Sequence, residues 1–351
     1  MTELGNGIPV LVTGATGFLG GHLARELSRR GCRVRALTRR TSGLSALTEQ
    51  GIEVAHGDLL EEGSLDAAAA GQQVVFHTAG RVSDWGARDL FERANVEGTR
   101  NLVTACREAG VARLVHVSSL TVLGLPRDGR VVDETTPCAK LPRGDFYSAS
   151  KLAGERLVRE AHGQGGLATT VVRPGAIWGP GDPNVLPRII AVLRRGIMPY
   201  IDGGSNLLGL SHVANLIPGI IRAGEAKVAA GRLYHLTDDE EITSREALDA
   251  LADALGLKRP RLSLPYWTVY GLAAIVEGAG RHSGRAAPPA MSRYGVRFVA
   301  CNCRYNIGRA QRELGYRPMV SFRQGVAALA QERSLESSAP AAPGRAGMPD
   351  A

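Results

Sequence analysis

The chain has 351 residues and a formal net charge of +8, from 42 Lys and Arg against 34 Asp and Glu. That length allows one large domain or two smaller ones, and the 44 glycines suit an α/β fold with many tight turns. The basic residues are scattered arginines without a dense run, which excludes a nucleic-acid arm and leaves a solvated surface with a few charges for an anionic cofactor.

The N-terminus is polar before it enters an apolar strand, so it is read as no secretory signal. No apolar stretch is long enough for a transmembrane helix. Cys32, Cys106, Cys138, Cys301 and Cys303 are an odd set, read as free thiols in a reducing, cytoplasmic compartment. Cys301-Asn302-Cys303 is too tight for a zinc pair and has no second pair, so no metal site is expected.

Val10-Leu11-Val12-Thr13 is an apolar run that predicts a buried parallel strand. Gly14-Ala15-Thr16-Gly17-Phe18-Leu19-Gly20 follows, and Leu19, Leu23 and Leu27 then recur at helical spacing up to Gly31. Strand, glycine turn and helix form the setting of a dinucleotide fingerprint, here spaced G-x-x-G-x-x-G. Its glycines let backbone approach a pyrophosphate, and the helix N-terminus offers free N–H groups.

The second strand, Arg33 to Leu37, ends in Thr38-Arg39-Arg40. NAD binders carry an acidic residue near this point for the ribose hydroxyl. Two arginines stand there instead, and guanidinium suits a 2′-phosphate, so NADP is expected ahead of NAD. The other reading is a pair of surface arginines. A third strand, Ile52 to His56, leads to Asp58-Leu59, where Asp58 either accepts from an adenine amino group or caps the next helix. The fourth, Val74 to His77, ends in Thr78-Ala79-Gly80, small residues that a cofactor can approach; His77 reads as a packed strand residue.

One long helix is predicted from Asp89 to Ala109, with Asn95 and Gly98 unfavourable inside it and so kept for packing or function. The fifth strand, Leu114 to Val117, ends at Ser118-Ser119, where a hydroxyl can meet a substrate carbonyl in the crevice at the strand ends. After a Pro-rich loop comes Tyr147-Ser148-Ala149-Ser150-Lys151. Tyrosine and lysine four apart share one helix face. An ammonium that close favours phenolate, so the tyrosine's pKa is expected to fall and Tyr147 becomes a proton donor and acceptor near neutral pH. A sixth strand, Thr169 to Val172, runs into Arg173-Pro174-Gly175. Beyond it the β/α rhythm weakens, with helices predicted at Leu186 to Arg195 and Ser244 to Leu255, the second capped by Ser244, and a strand at Arg232 to Leu236. The end, from about Ser334, has little to bury and is expected to be disordered.

In this order the glycine turn, Asp58-Leu59, Asn95, Ser118-Ser119, Tyr147-x-x-x-Lys151 and Arg173-Pro174-Gly175 resemble the extended short-chain dehydrogenase/reductase superfamily over roughly residues 8 to 330. The resemblance implies an α/β doubly wound parallel sheet of Rossmann type with a smaller, discontinuous C-terminal substrate part. It divides the chain into a dinucleotide domain at 1–175, a substrate part at 176–333 with segments returning to the Rossmann core, and the tail at 334–351. Catalysis would fall to Ser119, Tyr147 and Lys151, with Ser118 the lesser choice to Ser119. The cofactor would lie on Gly14, Thr16, Gly17, Phe18, Leu19, Gly20, Arg39, Arg40, Asp58, Leu59, Ala79, Tyr147, Lys151 and Pro174.

Within that superfamily Asp84-Trp85-Gly86, Ile177-Trp178-Gly179-Pro180-Gly181-Asp182, Leu186-Pro187-Arg188 and Asp202-Gly203-Gly204-Ser205-Asn206 look like the 3β-hydroxysteroid dehydrogenase branch, which includes the 2-alkyl-3-oxoalkanoate reductases. The run before His212-Val213 lacks the Arg-Asp pair usual for diphosphate-sugar enzymes. The expected reaction is NAD(P)-dependent interconversion of a secondary alcohol and ketone on a hydrophobic, steroid-like or 2-alkyl-3-oxo acid-like molecule. The apolar segment Pro265 to Val276 would line the substrate site or touch a membrane peripherally. A homodimer is expected by analogy. Asn95 to Leu102 with Asp133-Glu134-Thr135-Thr136-Pro137 also looks like hopanoid-associated sugar epimerases and dihydroflavonol-reductase-like proteins, which is the alternative.

Overall fold

The computed structural model describes residues 3–5, 7–183, 185–283, 288–289 and 291–338. Seven parallel strands form the central sheet: β1 (Pro9–Thr13), β2 (Arg33–Thr38), β3 (Glu53–His56), β4 (Val74–His77), β5 (Arg113–Val117), β6 (Ala168–Pro174) and β7 (Leu233–Leu236). Their order across the sheet is β7-β6-β5-β4-β1-β2-β3. The direction of winding reverses between β1 and β4, and the crevice at the carboxyl ends there is where such sheets bind ligands.

Every residue of β1 is buried, because helices cover both faces of the sheet. Alternation sorts the side chains. Val10, Val12, Phe76 and Val117 pack with Leu19, Leu23 and Leu27 of the Phe18–Arg29 helix and with Leu216 and Ile220 of the Val213–Glu225 helix. Leu11, Val75, Leu114 and Val171 point the other way, onto Leu65, Leu102 and Val158.

The single helix expected from Asp89 to Ala109 is broken. It runs as Arg88–Glu92, a π-helical turn Arg93–Glu97, and Gly98–Glu108. The cause is Asn95, which is 3% exposed and carries a hydrogen-bond duty. Its Oδ1 accepts from the Arg81 N–H at 2.7 Å, and its Nδ2 donates to the Arg81 carbonyl at 3.1 Å and to Ser150 Oγ at 2.9 Å. The turn widens to aim that side chain inward. Gly154 of the Phe146–Glu160 helix sits so close that a Cβ there would lie 2.4 Å from the Asn95 carbonyl oxygen.

The C-terminal part adds short parallel pairs, Ala176–Trp178 with Leu210–His212 and Tyr200–Ile201 with Ser263–Leu264. Trp178, Leu186, Leu248 and Phe322 build a separate core beneath them. The helix predicted from Ser244 to Leu255 runs Ser244–Ala254, but Thr243 is its cap: Thr243 and Glu246 satisfy each other's N–H groups in a capping box. Ser244 turns inward instead and bonds Asn206. The last helix, Phe322–Ser338, continues past residue 334, where the ordered part was expected to end; 339–351 lie outside the described residues. All five cysteines are free thiols. Among the described residues no helix is long and apolar enough to cross a membrane.

Replacing Asn95 by Leu leaves the part-buried N–H and C=O of Arg81 without side-chain partners, which should cost about 1–3 kcal/mol of unfolding free energy. A urea titration that shows a loss under about 0.5 kcal/mol would mean the π turn does not depend on these bonds.

Candidate active site

The glycine turn lies at the reversal point between β1 and β4. Gly14 has φ +74°, and a Cβ on it would come within 2.8 Å of Ala79 backbone atoms. A Cβ on Gly20 would sit 2.2 Å from the Gly14 carbonyl oxygen. Only glycine allows this close stacking of turn, helix and the Thr78-Ala79-Gly80 strand end. Gly17 caps the helix without a side chain, and its first turn holds no acidic residue. The N–H groups of Phe18 and Leu19 thus head a positive helix end beside exposed Thr16, a cradle that fits a dinucleotide pyrophosphate.

Arg39 and Arg40 are exposed at the end of β2, and Arg39 Nη1 stands 3.6 Å from Asp58 Oδ2. Asp58 does not cap the following helix, which runs Glu62–Ala69 from Glu61. Its Oδ1 accepts the Leu60 N–H at 3.0 Å, so it shapes the turn while Leu59 packs against Gly98. His77 is buried between Thr13 and Thr99, as a packed strand residue. His212 is likewise structural: it caps the Val213–Glu225 helix and packs edge-on against Trp178.

The Phe146–Glu160 helix begins at Asp145, whose side chain accepts the Ser148 N–H. This start places Tyr147 and Lys151 toward the ends of β5 and β6. Lys151 is 7% exposed and donates from Nζ to the Val117 carbonyl at 2.6 Å. Burial draws its ammonium down to a pKa of about 8, against the opposing pull of Glu155. The two serines divide their work. Ser118 Oγ donates to Glu155 Oε2 at 2.8 Å, which removes it from the site. Ser119 Oγ accepts from Thr121 N at 3.3 Å and Thr121 Oγ1 at 3.0 Å, so its own proton is left to point outward, where it meets the Tyr147 phenol. Pro174 is buried at the end of β6.

Tyr147 corrects one expectation. Its pKa is raised, not lowered: burial is the largest cause, Ser119 opposes it, and the Asp145 charge adds to it. Lys151 faces the Val117 carbonyl and does not offset that burial. Tyr294 was also not foreseen. Its ring stands edge-on to Tyr147 with centroids 6.2 Å apart and stacks on Phe298. Burial first, then Tyr147 and Asp145, push its phenol well above the ordinary range, so it stays neutral.

Both tyrosines open on a cavity of about 480 Å³, walled by Trp85, Leu90, Phe91, Phe146 and two arginines, Arg81 and Arg281. None of residues 265–276 lines it. The Tyr266–His282 helix packs Tyr266, Val269 and Ala273 into a core with Val296 and leaves Trp267 and Ile275 to solvent.

A family model described as NAD dependent epimerase/dehydratase matches residues 10–236. The 4-hydroxy-2-methyl-3-oxo-4-farnesyl-3,4-dihydroquinoline-1-oxide ketoreductase of Stigmatella aurantiaca is 35% identical over 91% of this chain and 95% of its own. The 2-alkyl-3-oxoalkanoate reductase of Stenotrophomonas maltophilia (strain K279a) is 33% identical over 90% of this chain and 97% of its own. Among solved structures, the crystal structure of gox2253 superposes with a TM-score of 0.76 at 32% identity, covering 94% of this chain and 99% of that one.

The burial of Lys151 has a thermodynamic signature. Its folded pKa of about 8 lies below the ordinary 10.5, so between those values the unfolded chain holds a proton that the folded chain has shed. Stability conferred at this site therefore rises with pH through that window. The unfolding free energy of wild type minus that of Lys151→Met should climb by about 2–3 kcal/mol from about pH 7 to about pH 10.5. A flat difference would show that the lysine is solvated.

Proposed function

The chain belongs to the NAD dependent epimerase/dehydratase family and is a nicotinamide-dependent oxidoreductase; we propose that it reduces the ketone of a hydrophobic substrate, steroid-like or 2-alkyl-3-oxo acid-like, with Ser119, Tyr147 and Lys151 as its catalytic groups. The observation that carries this reading is a neutral, half-buried Tyr147, beside Ser119, on the wall of a cavity that Trp85, Leu90, Phe91, Phe146 and Tyr294 also line. An apolar substrate body gains its affinity there from burial. The same walls support the hydrophobic reading over the NDP-sugar alternative.

A bound nicotinamide supplies or takes the hydride. The chain's own residues handle the oxygen. The outward Ser119 hydroxyl donates a hydrogen bond to the substrate carbonyl and holds it against Tyr147. Tyr147, a neutral phenol whose pKa burial raises further above its ordinary value, gives its proton to that oxygen as the alcohol forms. Lys151 spends one of its three donors on Val117 and has others for a ribose hydroxyl. Gly14, Thr16, Gly17, Phe18, Leu19 and Gly20 would hold the pyrophosphate of a bound dinucleotide, with Ala79 and Pro174 beside the cofactor and Asp58 and Leu59 toward its adenosine. Exposed Arg39 and Arg40 support a preference for NADP.

The outer face of the Tyr266–His282 helix, with Trp267 72% and Ile275 70% exposed, supports peripheral contact with a membrane from which such a substrate would come. A homodimer remains part of this reading by analogy with the superfamily.

Nicotinamide absorbance with NADPH should fall in the presence of a 3-ketosteroid or a long-chain 2-alkyl-3-oxo acid. Tyr147→Phe should lower kcat by about 100-fold or more. Full turnover in that variant would remove Tyr147 from the mechanism, and epimerisation of a diphosphate sugar without net oxidation would replace the reading with its alternative. Exchanging Arg39 and Arg40 together for Ala should weaken NADPH at least about tenfold more than NADH; equal weakening would remove the argument for NADP.

A further inference from the structure

Tyr294 stands beside the candidate catalytic groups, yet the reaction as described gives it no work. Its ring meets the Tyr147 ring edge-on with centroids 6.2 Å apart, and both line the same cavity. The short helix that carries it, Arg293–Val299, is fastened at both ends. At its start Ser292 accepts the Gly295 N–H at 2.9 Å and bonds Asp84. Glu277 there takes the Arg293 N–H at 2.9 Å and its Nε at 2.6 Å. Toward its end Arg297 stands 3.4 Å from Asp145, the residue that caps the Tyr147 helix. Charge pairs on both sides thus hold Tyr294 against Tyr147, and its other face stacks on Phe298.

Two hydroxyls sit beside its phenol oxygen, those of Ser148 and Thr121, and both oppose the rise that burial imposes on it. Each is buried. Ser148 Oγ makes no other hydrogen bond. A buried hydroxyl without a bond is costly, so the phenol oxygen is the acceptor to which its proton turns. Thr121 has a single hydroxyl proton, and Oγ1 donates it to Ser119 Oγ at 3.0 Å. Its lone pairs are left for the Tyr294 proton, which is always present because that phenol stays neutral. The directions then agree: Ser148 donates to Tyr294, Tyr294 to Thr121, Thr121 to Ser119, and Ser119 outward. Bonds that run one way polarise one another and strengthen the last donor.

We propose that Tyr294 is a positioning residue for the reaction, whose hydroxyl acts through Thr121 to keep the Ser119 proton directed at the substrate oxygen. This rests on the reductase reading above and adds a residue to it. Tyr294 needs no contact with the substrate for this work. Without its proton on Thr121 Oγ1, the bond between Thr121 and Ser119 can reverse. Ser119 then spends its own proton on Thr121, and the substrate oxygen loses a donor.

The test is a set of double-mutant cycles in the full chain, with NADPH and either ketone named above. Tyr294→Phe keeps the ring and its packing on Tyr147 and Phe298 and removes only the hydroxyl. It should lower kcat by about three- to tenfold while KM moves by less than about twofold. Thr121→Val should lower kcat by at least as much. Tyr294→Phe added to Thr121→Val, or to Ser119→Ala, should cost less than about twofold more, because the path to the substrate is already cut. An unchanged kcat in Tyr294→Phe, a loss confined to KM, or losses that multiply in the double variants would overturn the proposal and leave the reductase reading in place. A wild type that reduces neither ketone would sink the reductase reading, and the proposal with it.

Discussion

Arg173 and Glu155 meet inside the protein at 2% and 0% side-chain exposure, with bonds of 2.9 and 2.5 Å. Ser118 completes the group by donating to the same carboxylate. Every member adjoins a residue of the site: Glu155 is one helical turn after Lys151, Ser118 precedes Ser119, and Arg173 precedes Pro174. One buried ion pair therefore locks the register of the Tyr147 helix against the ends of β5 and β6. Breaking such a pair on one side typically costs about 3–5 kcal/mol, because the other charge stays buried and uncompensated. The pair also keeps an anion near Lys151 and so limits how far burial can discharge it.

The site gains its chemical bias from what burial does to each group. Tyr147 and Tyr294 both remain neutral phenols, while Lys151 sits close to its own titration range. A phenol that resists ionisation is a proton donor, and the hydroxyl of Ser119 is oriented by two bonds from Thr121 that consume its acceptor capacity. In the proposed reaction both hydroxyls would serve the same substrate oxygen. Trp85, Phe91, Phe146 and Tyr294 wall part of the cavity beside Tyr147, next to the charged Arg81, Asp84, Asp145 and Arg281.

Much of this was legible in the sequence because its causes are local. The seven main strands announce themselves as short apolar runs, the glycine turn by its spacing, and the Tyr147–Lys151 face by helical period. The misreadings share a different origin. The break at Arg93–Glu97 depends on Asn95 reaching Arg81 and Ser150, far away along the chain. The Thr243 cap was missed in favour of its neighbour, although Glu246 three residues on was the available signal. Tyr294 carries no signal at all, since it joins Tyr147 only through the packing of the Arg293–Val299 helix. The upward shift of the Tyr147 pKa follows from burial in that packing, which helix spacing does not reveal. Nor does any motif tell that Asp84 pairs with Arg188, or Asp145 with Arg297.

The three tryptophans occupy three different environments. Trp178 is sealed in the C-terminal core, Trp267 is open to solvent, and Trp85 forms part of the cavity wall beneath Arg281. The protein thereby carries its own optical probe. A molecule that enters the cavity changes the surroundings of one indole only. Iodide in the buffer silences Trp267, Trp178 supplies a constant background, and the remaining emission reports occupancy of the cavity without any added label.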